Sequence, residues 1–296
     1  LREAGEYLAL NEFMEEKIPL GTVYECQNKD IIEYRKASYI LGELKDINAH
    51  CDLEDERVKV YCQPVLNTRT NRFASAEALM RLELPETGMV YPDQFIPMAE
   101  RHDYIHTLSK IILNKTCRQI KRLEQEGYQI DRVSVNFSIL EFRRKEFCKD
   151  VMDIIRQNEI PYEKVAIELT ESWNETEFDN IKNTITSLQK LGIKFYLDDF
   201  GTGYSNFERI IGLPIDVIKF DRSLTILAGK NAESRYMVGS FSDIFKNSHY
   251  EILFEGVENE KDEDQCKQMN ALYLQGYKYS KPIPIEELTR FLGRAV

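Results

Sequence analysis

From Val58 onward the sequence breaks into short apolar runs of strand length, separated by stretches whose apolar residues recur every three or four positions. Eight such runs can be counted, near residues 58–65, 73–79, 133–137, 165–169, 193–198, 216–220, 252–255 and 271–275. Helical stripes lie between most of them; Phe178, Ile181, Ile185 and Leu188 form one, which stops at Gly192, a suitable helix C-terminal residue. Eight strands with intervening helices predict an α/β fold, a (β/α)8 TIM-like barrel. One link breaks the rule. Only Leu66 to Arg72 separates the first two runs, whereas a parallel crossover needs about a dozen residues, so the first strand is expected to be antiparallel to the second.

Residues 1 to about 55 read differently: a helix, a short extended stretch around Thr22 to Glu25, and a second amphipathic helix with Tyr34, Ala37, Leu41, Leu44 and Ile47 on one face. That is too little for a core of its own. The expected division is therefore a short N-terminal helical segment, 1–55, and a barrel over 56–296. Leu1 opens directly into a helical pattern, which predicts a piece cut from a longer protein. The formal charge of -11 repels polyphosphate at long range and argues against nucleic acid polymers, while a local metal site could still hold a small phosphate ligand. The six cysteines (Cys26, Cys51, Cys62, Cys117, Cys148, Cys266) form no CxxC pair, which predicts reduced thiols and a cytoplasmic setting. No run approaches the roughly 20 apolar residues of a membrane span, so no membrane contact is expected from this piece, whatever tethers a full-length protein.

The chemistry lies at the strand ends. Glu77, Asn136, Glu168, Asp198 with Asp199, Lys219, Glu255 and Gln275 each close or interrupt an apolar run, at positions where the period-two pleat sets them opposite apolar neighbours. In a barrel of parallel strands the C-terminal ends converge on one mouth, so these residues should share a site. Five carboxylates there cannot all remain ionised without cations. An oxygen-only set without histidine or cysteine suits magnesium or manganese, admits calcium, and suits zinc less well. Two such ions about 3.5–4 Å apart, bridged by a shared aspartate, are the arrangement used for in-line displacement at phosphorus.

Nine motifs then occur in one order: Gln63-Pro64, Glu77-Ala78-Leu79-Met80-Arg81, Pro92 to Glu100, Val135-Asn136-Phe137-Ser138, Glu168-Leu169-Thr170-Glu171-Ser172, Asp198 to Ser205, Lys219-Phe220-Asp221, Glu255-Gly256-Val257-Glu258 and Gln275-Gly276-Tyr277. In this order the chain resembles the EAL domain family over about 58–294. The resemblance implies hydrolysis of the bacterial second messenger cyclic di-GMP to linear pGpG with two magnesium or manganese ions; calcium is expected to bind but inhibit, because its looser geometry positions water and phosphate less tightly. By position it implies Glu77, Asn136, Glu168 and Asp198 as ligands of one metal, Asp198 and Asp199 reaching the second, and Glu255 as base or ligand beside the attacking water. Lys219 would orient that water or stabilise phosphoryl charge, Gln275 would lie at the metal edge, and Gln63, Leu79 and Arg81 would contact substrate. Glu171 would brace the loop from Phe200 to Asn206, beside which the family's homodimer contact lies. The helix before Val58-Lys59-Val60-Tyr61 is similar to the joint between a GGDEF-type domain and a following EAL domain, implying an upstream GGDEF or sensor domain. Departures from the family pattern, at Leu82-Glu83-Leu84, Asn206 and Asn270-Ala271-Leu272, fall on no implied metal ligand.

Simpler readings compete. Asp198 and Asp199 could cap a helix beginning near Tyr204, Lys219 could snorkel outward, and Asn136 and Gln275 could be satisfied buried amides. Glu258 could be a first-turn helix acid. His102 and His106 have the spacing of a zinc pair on a polar helix face, without a third ligand nearby. At the level of function, a cyclic di-GMP receptor without turnover and a metal-free glycoside hydrolase are the alternatives. A complete ligand set argues against the first, and Asn136, Lys219 and the single Trp173 argue against the second.

Overall fold

The computed structural model describes residues 27–170, 178–202 and 207–293. In chain order its elements are α1 (Asn28–His50), β1 (Val58–Asn67), β2 (Arg72–Leu84), β3 (Gly88–Val90), α2 (Pro92–Arg101), α3 (Ile105–Gln125), β4 (Arg132–Asn136), α4 (Phe147–Gln157) and β5 (Val165–Thr170). There follow α5 (Phe178–Gln189), β6 (Lys194–Phe200), α6 (Phe207–Gly212), β7 (Val217–Phe220), α7 (Arg222–Lys230), α8 (Ala232–Asn247), β8 (Glu251–Phe254), α9 (Glu260–Gln268), β9 (Tyr273–Leu274) and β10 (Ile283–Pro284).

Strands β1, β2, β4, β5, β6, β7, β8 and β9 pair in that order, and β9 returns to β1, so the sheet closes into an eight-stranded barrel. β1 is antiparallel to both neighbours, as the short link after it requires, and the pairings from β2 round to β9 are parallel. Closure removes the open edges that a sheet of this length would otherwise expose. The two extra strands, β3 and β10, are too short to show a sequence period; β3 continues the sheet beside β2, and β10 pairs with Tyr61 and Cys62.

Most apolar side chains sit between barrel and helices, in one continuous core that also takes in Ile40, Leu44 and Ile47 of α1. The segment before the barrel thus packs on the same core as the barrel's own helices. Arg57 fastens α1 to the strand entry, reaching Glu43 at 2.8 Å and Asp55 at 2.6 Å. The helix expected before it and the stretch at Thr22 to Glu25 lie outside the described residues. No helix among the described residues is long and apolar enough to cross a membrane.

The barrel interior is a second, smaller cluster: Val65, Ala166, Tyr196, Val217 and Leu253. Two residues further toward the mouth on the same strands stand Gln63, Glu168, Asp198, Lys219 and Glu255, because a pleated strand repeats its inward direction every second residue. An apolar layer therefore forms the floor beneath a charged one. This layering converts the period-two pattern into a site.

Candidate active site

Lys219 is at the centre. It is fully buried, and its Nζ lies 2.5 Å from Glu168 Oε2, 2.9 Å from Asp198 Oδ1, 2.9 Å from Glu255 Oε1 and 3.3 Å from Glu77 Oε2. The snorkelling alternative is thereby excluded; the side chain points inward because β7 places it one residue out of phase with Ile218 and Phe220, which face the helices. Strand register brings the carboxylates together from distant parts of the chain. Gln63 stands opposite Glu77 across β1 and β2, and Asn136 opposite Glu168 across β4 and β5.

Amides fill the spaces between the acids. Asn136 Nδ2 donates to Glu77 Oε1 at 2.8 Å, and Gln275 Nε2 donates to Glu77 Oε2 at 2.7 Å and to Gln63 Oε1 at 3.0 Å. Gln63 Nε2 in turn donates to the carbonyl of Ser280 at 2.9 Å, which fixes its orientation.

Two adjacent residues of a regular strand cannot face the same side, yet Asp198 and Asp199 both belong to the site. The backbone supplies the reason. The pairing of β6 with β7 slips between Leu197 and Phe200, and Asp199 takes a left-handed φ of 58°. This irregularity turns Asp199 toward the mouth, at a conformational cost typical of functional positions. Gly201, next in the turn, has φ 102° and sits against Leu224, so a Cβ there would lie 2.6 Å from the leucine side chain.

The acids form two triads that share Asp198: Glu77, Glu168 and Asp198, and Asp198, Asp199 and Glu255. Within each, one ligand atom per residue lies within 4.8 Å of the others. Burial pushes Glu168 well above the usual carboxylate range, Glu77 and Asp198 push further, and Lys219 opposes. Burial also raises Glu255 to about 8 against the pull of Lys219, and raises Asp199 to about 6 with help from Asp198. Glu77 moves the other way: burial works against ionisation, but Lys219 and the amides of Gln275 and Asn136 hold it charged. One ammonium is insufficient for this many acids. Among the described residues, Glu168 Oε1 and Gln275 Oε1 are buried without a hydrogen-bond partner, and Asp198 Oδ1 touches Lys219 without hydrogen-bond geometry. Free oxygen lone pairs beside a deficit of positive charge, with no nitrogen or sulfur donor, fit a hard divalent cation in each triad.

Beside the acids a cleft is lined by Gln63, Leu79, Arg222, Glu258, Gln275 and Tyr277. Arg81 is buried next to it, donates to the carbonyl of Met80 at 2.7 Å, and is flanked by Tyr61 and Tyr91 with centroids at 5.7 and 5.4 Å. The pairing of Arg222 with Glu258 across the cleft was not legible in the sequence. Nor were the tyrosines around Arg81, whose partners are set by tertiary packing. Glu171, and the loop residues from Gly203 to Asn206 that it would brace, lie outside the described residues.

The zinc-pair alternative for His102 and His106, already weak for want of a third ligand, fails on geometry as well. A helix break separates them: α2 ends at Arg101, Asp103 adopts φ 58°, and α3 starts at Ile105. His102 stacks on Tyr104, whereas His106 is turned inward to Asp150 at 2.8 Å and Glu141 at 3.3 Å.

Comparison with known proteins agrees with this geometry. Residues 47–282 match the EAL domain. The chain is 31% identical over 235 residues to the cyclic di-GMP phosphodiesterase PdeL of Escherichia coli (strain K12), covering 78% of this chain and 64% of that protein. It is 26% identical over 276 residues to the signaling protein YkoW of Bacillus subtilis (strain 168), covering 91% of this chain but 34% of that protein, so it spans only about a third of YkoW's length. Among solved structures, the PaMucR phosphodiesterase in complex with c-di-GMP superposes with a TM-score of 0.76 at 26% identity, covering 84% of this chain and 99% of that one.

Proposed function

The chain belongs to the EAL domain family, and from that premise we propose that it hydrolyses cyclic di-GMP to linear pGpG with two magnesium or manganese ions. The observation that carries this reading is the pair of carboxylate triads sharing Asp198 at the barrel mouth. Glu77, Glu168 and Asp198, with Asn136 alongside, would hold one ion, and Asp198, Asp199 and Glu255 the other, with Gln275 at the edge. When bound, such a pair supplies the positive charge that stabilises the attacking and leaving oxygens of an in-line displacement.

The protein's own groups do the rest. Glu255 stands at the mouth end of β8 and takes the proton of the attacking water as its oxygen bonds to phosphorus; the bond from phosphorus to the 3′ oxygen breaks, and that oxygen takes a proton from solvent to become the 3′ hydroxyl. That leaves a 5′ phosphate on the linear product. Lys219 steadies the charge that develops on the phosphoryl oxygens. Gln63, held by Ser280 and Gln275, meets a guanine edge, Leu79 packs against the base, and Arg81, held between two tyrosines, meets phosphate. Calcium would bind and inhibit, because its looser geometry positions water and phosphate less tightly. Glu171 as brace of the loop after Asp199, and a homodimer through that loop, belong to the same reading.

The test is direct. Purified protein is incubated with cyclic di-GMP and manganese, and the nucleotides are separated by chromatography. Catalytic conversion to pGpG is expected. Binding of cyclic di-GMP without turnover would make the protein a receptor and overturn the hydrolase reading.

A further inference from the structure

Every ion pair that the described residues give to Glu77, Glu168, Asp198 and Glu255 runs to one ammonium, that of Lys219. Three of those four carboxylates are the complete Glu77, Glu168 and Asp198 triad. The ammonium touches one oxygen of each of them at 3.3 Å or less, so a cation drawing on those same oxygens would meet it there. Its side chain is fully buried in the barrel interior, above Val217. A dication and an ammonium at that range repel strongly in a weakly screening interior, so both cannot use the triad at once.

We infer that Lys219 is a built-in occupant of the first cation site, filling the triad until a metal ion displaces its ammonium, and so sets how tightly the protein takes up metal. This rests on the two-cation reading above and adds a second duty to the lysine. In the metal-free protein the ammonium offsets part of the mutual repulsion of the acids and keeps them converged, so the site is assembled before metal arrives. The same contact is what an incoming ion has to break. Glu255, outside the first triad, already lies 2.9 Å from Nζ and keeps the displaced ammonium paired while the first ion alone is bound.

The experiment measures manganese binding alone, by titration calorimetry on metal-stripped protein at about pH 8.5, where protons compete least for the carboxylates. Lys219→Met should bind manganese more tightly than wild type, on the order of tenfold or more, because a competing cation has been removed. It should also melt lower than wild type without metal and gain more on adding it. Lys219→Arg, which keeps the charge, should bind no more tightly than wild type. Equal or weaker manganese binding by Lys219→Met, with wild type binding normally, overturns the inference and leaves the two-cation reading standing. No manganese uptake by wild type or variant overturns both. If Lys219→Met does not fold, crystals of wild type with and without manganese decide. Expected is a Glu168 to Nζ separation that opens from 2.5 Å to beyond hydrogen-bond reach; an ammonium still touching all three acids beside bound manganese overturns the inference.

Discussion

Changing Glu168 to glutamine should separate the stability of this barrel from its chemistry. In the metal-free protein Glu168 is buried, and burial holds it well above the usual carboxylate range, so a neutral amide of the same shape suits the pocket. The charges that an ionised Glu168 would meet nearly cancel. At an effective dielectric of about 20, Lys219 at 2.5 Å attracts by ~7 kcal/mol, and Glu77 and Asp198, within 4.8 Å, repel by at least ~3.5 kcal/mol each. What remains is the cost of burying charge, which favours the neutral group. Metal-free Glu168→Gln should therefore match wild-type stability within about 2 kcal/mol, a shift of a few degrees in melting temperature. Turnover should fall by on the order of a thousandfold, ~4 kcal/mol, because one ligand of the first triad is lost. Differential scanning fluorimetry with chelator, followed by chromatography of cyclic di-GMP reactions at saturating manganese, reads both. Turnover within tenfold of wild type would show that Glu168 holds no essential cation, and a metal-free melting point lower by more than about 15 °C would show that its charge holds the fold.

Three further expectations follow from the same contacts. Asp199 and Glu255, raised to about 6 and about 8, keep protons in the folded metal-free protein that they have lost in the unfolded chain above about pH 4. Metal-free stability should thus fall as pH rises from about 4 to about 8, by up to ~1.4 kcal/mol per pH unit for each proton retained, and manganese should flatten that slope; melting curves against pH with chelator and with manganese check this, and identical slopes count against it. Gly276→Ala should cost about 1–3 kcal/mol and impair turnover, since a Cβ there would lie 2.1 Å from the carbonyl oxygen of Val257 in the loop that follows Glu255; wild-type melting and turnover would show that the loop gives way freely. His106→Ala should destabilise by about 1–3 kcal/mol by taking a partner from buried Glu141 and from Asp150. Glu141 raises the histidine's pKa against burial, so the deficit should be complete below about pH 6.5 and shrink as pH rises through the raised value, with manganese affinity unchanged.

The strand ends were the legible part of the sequence. A closed barrel repeats one rule on every strand, so a polar residue two places beyond an inward apolar one can be assigned to the mouth without coordinates, as Glu168 beyond Ala166 and Lys219 beyond Val217 illustrate. The antiparallel start was equally legible, because the link from Leu66 to Arg72 is too short for any other pairing. Partnerships between distant residues were not. That Lys219 serves four carboxylates depends on where four other strands end, and that Arg222 meets Glu258 depends on the approach of α7 to the loop after β8. Spacing was a weak guide at His102 and His106, because it assumes one helix, and a single left-handed residue between them ended it. The turning of Asp199 toward the mouth also escaped periodicity, since a slipped register is what breaks the period.

The proposed hydrolysis requires two cations sharing Asp198 to open the cyclic dinucleotide. It is tested most directly by titrating manganese into metal-stripped protein while counting bound ions and product in the same samples. No pGpG should form without metal, and turnover should appear as a second ion per chain binds. Full turnover in excess chelator, or saturation with a single ion bound, would contradict it.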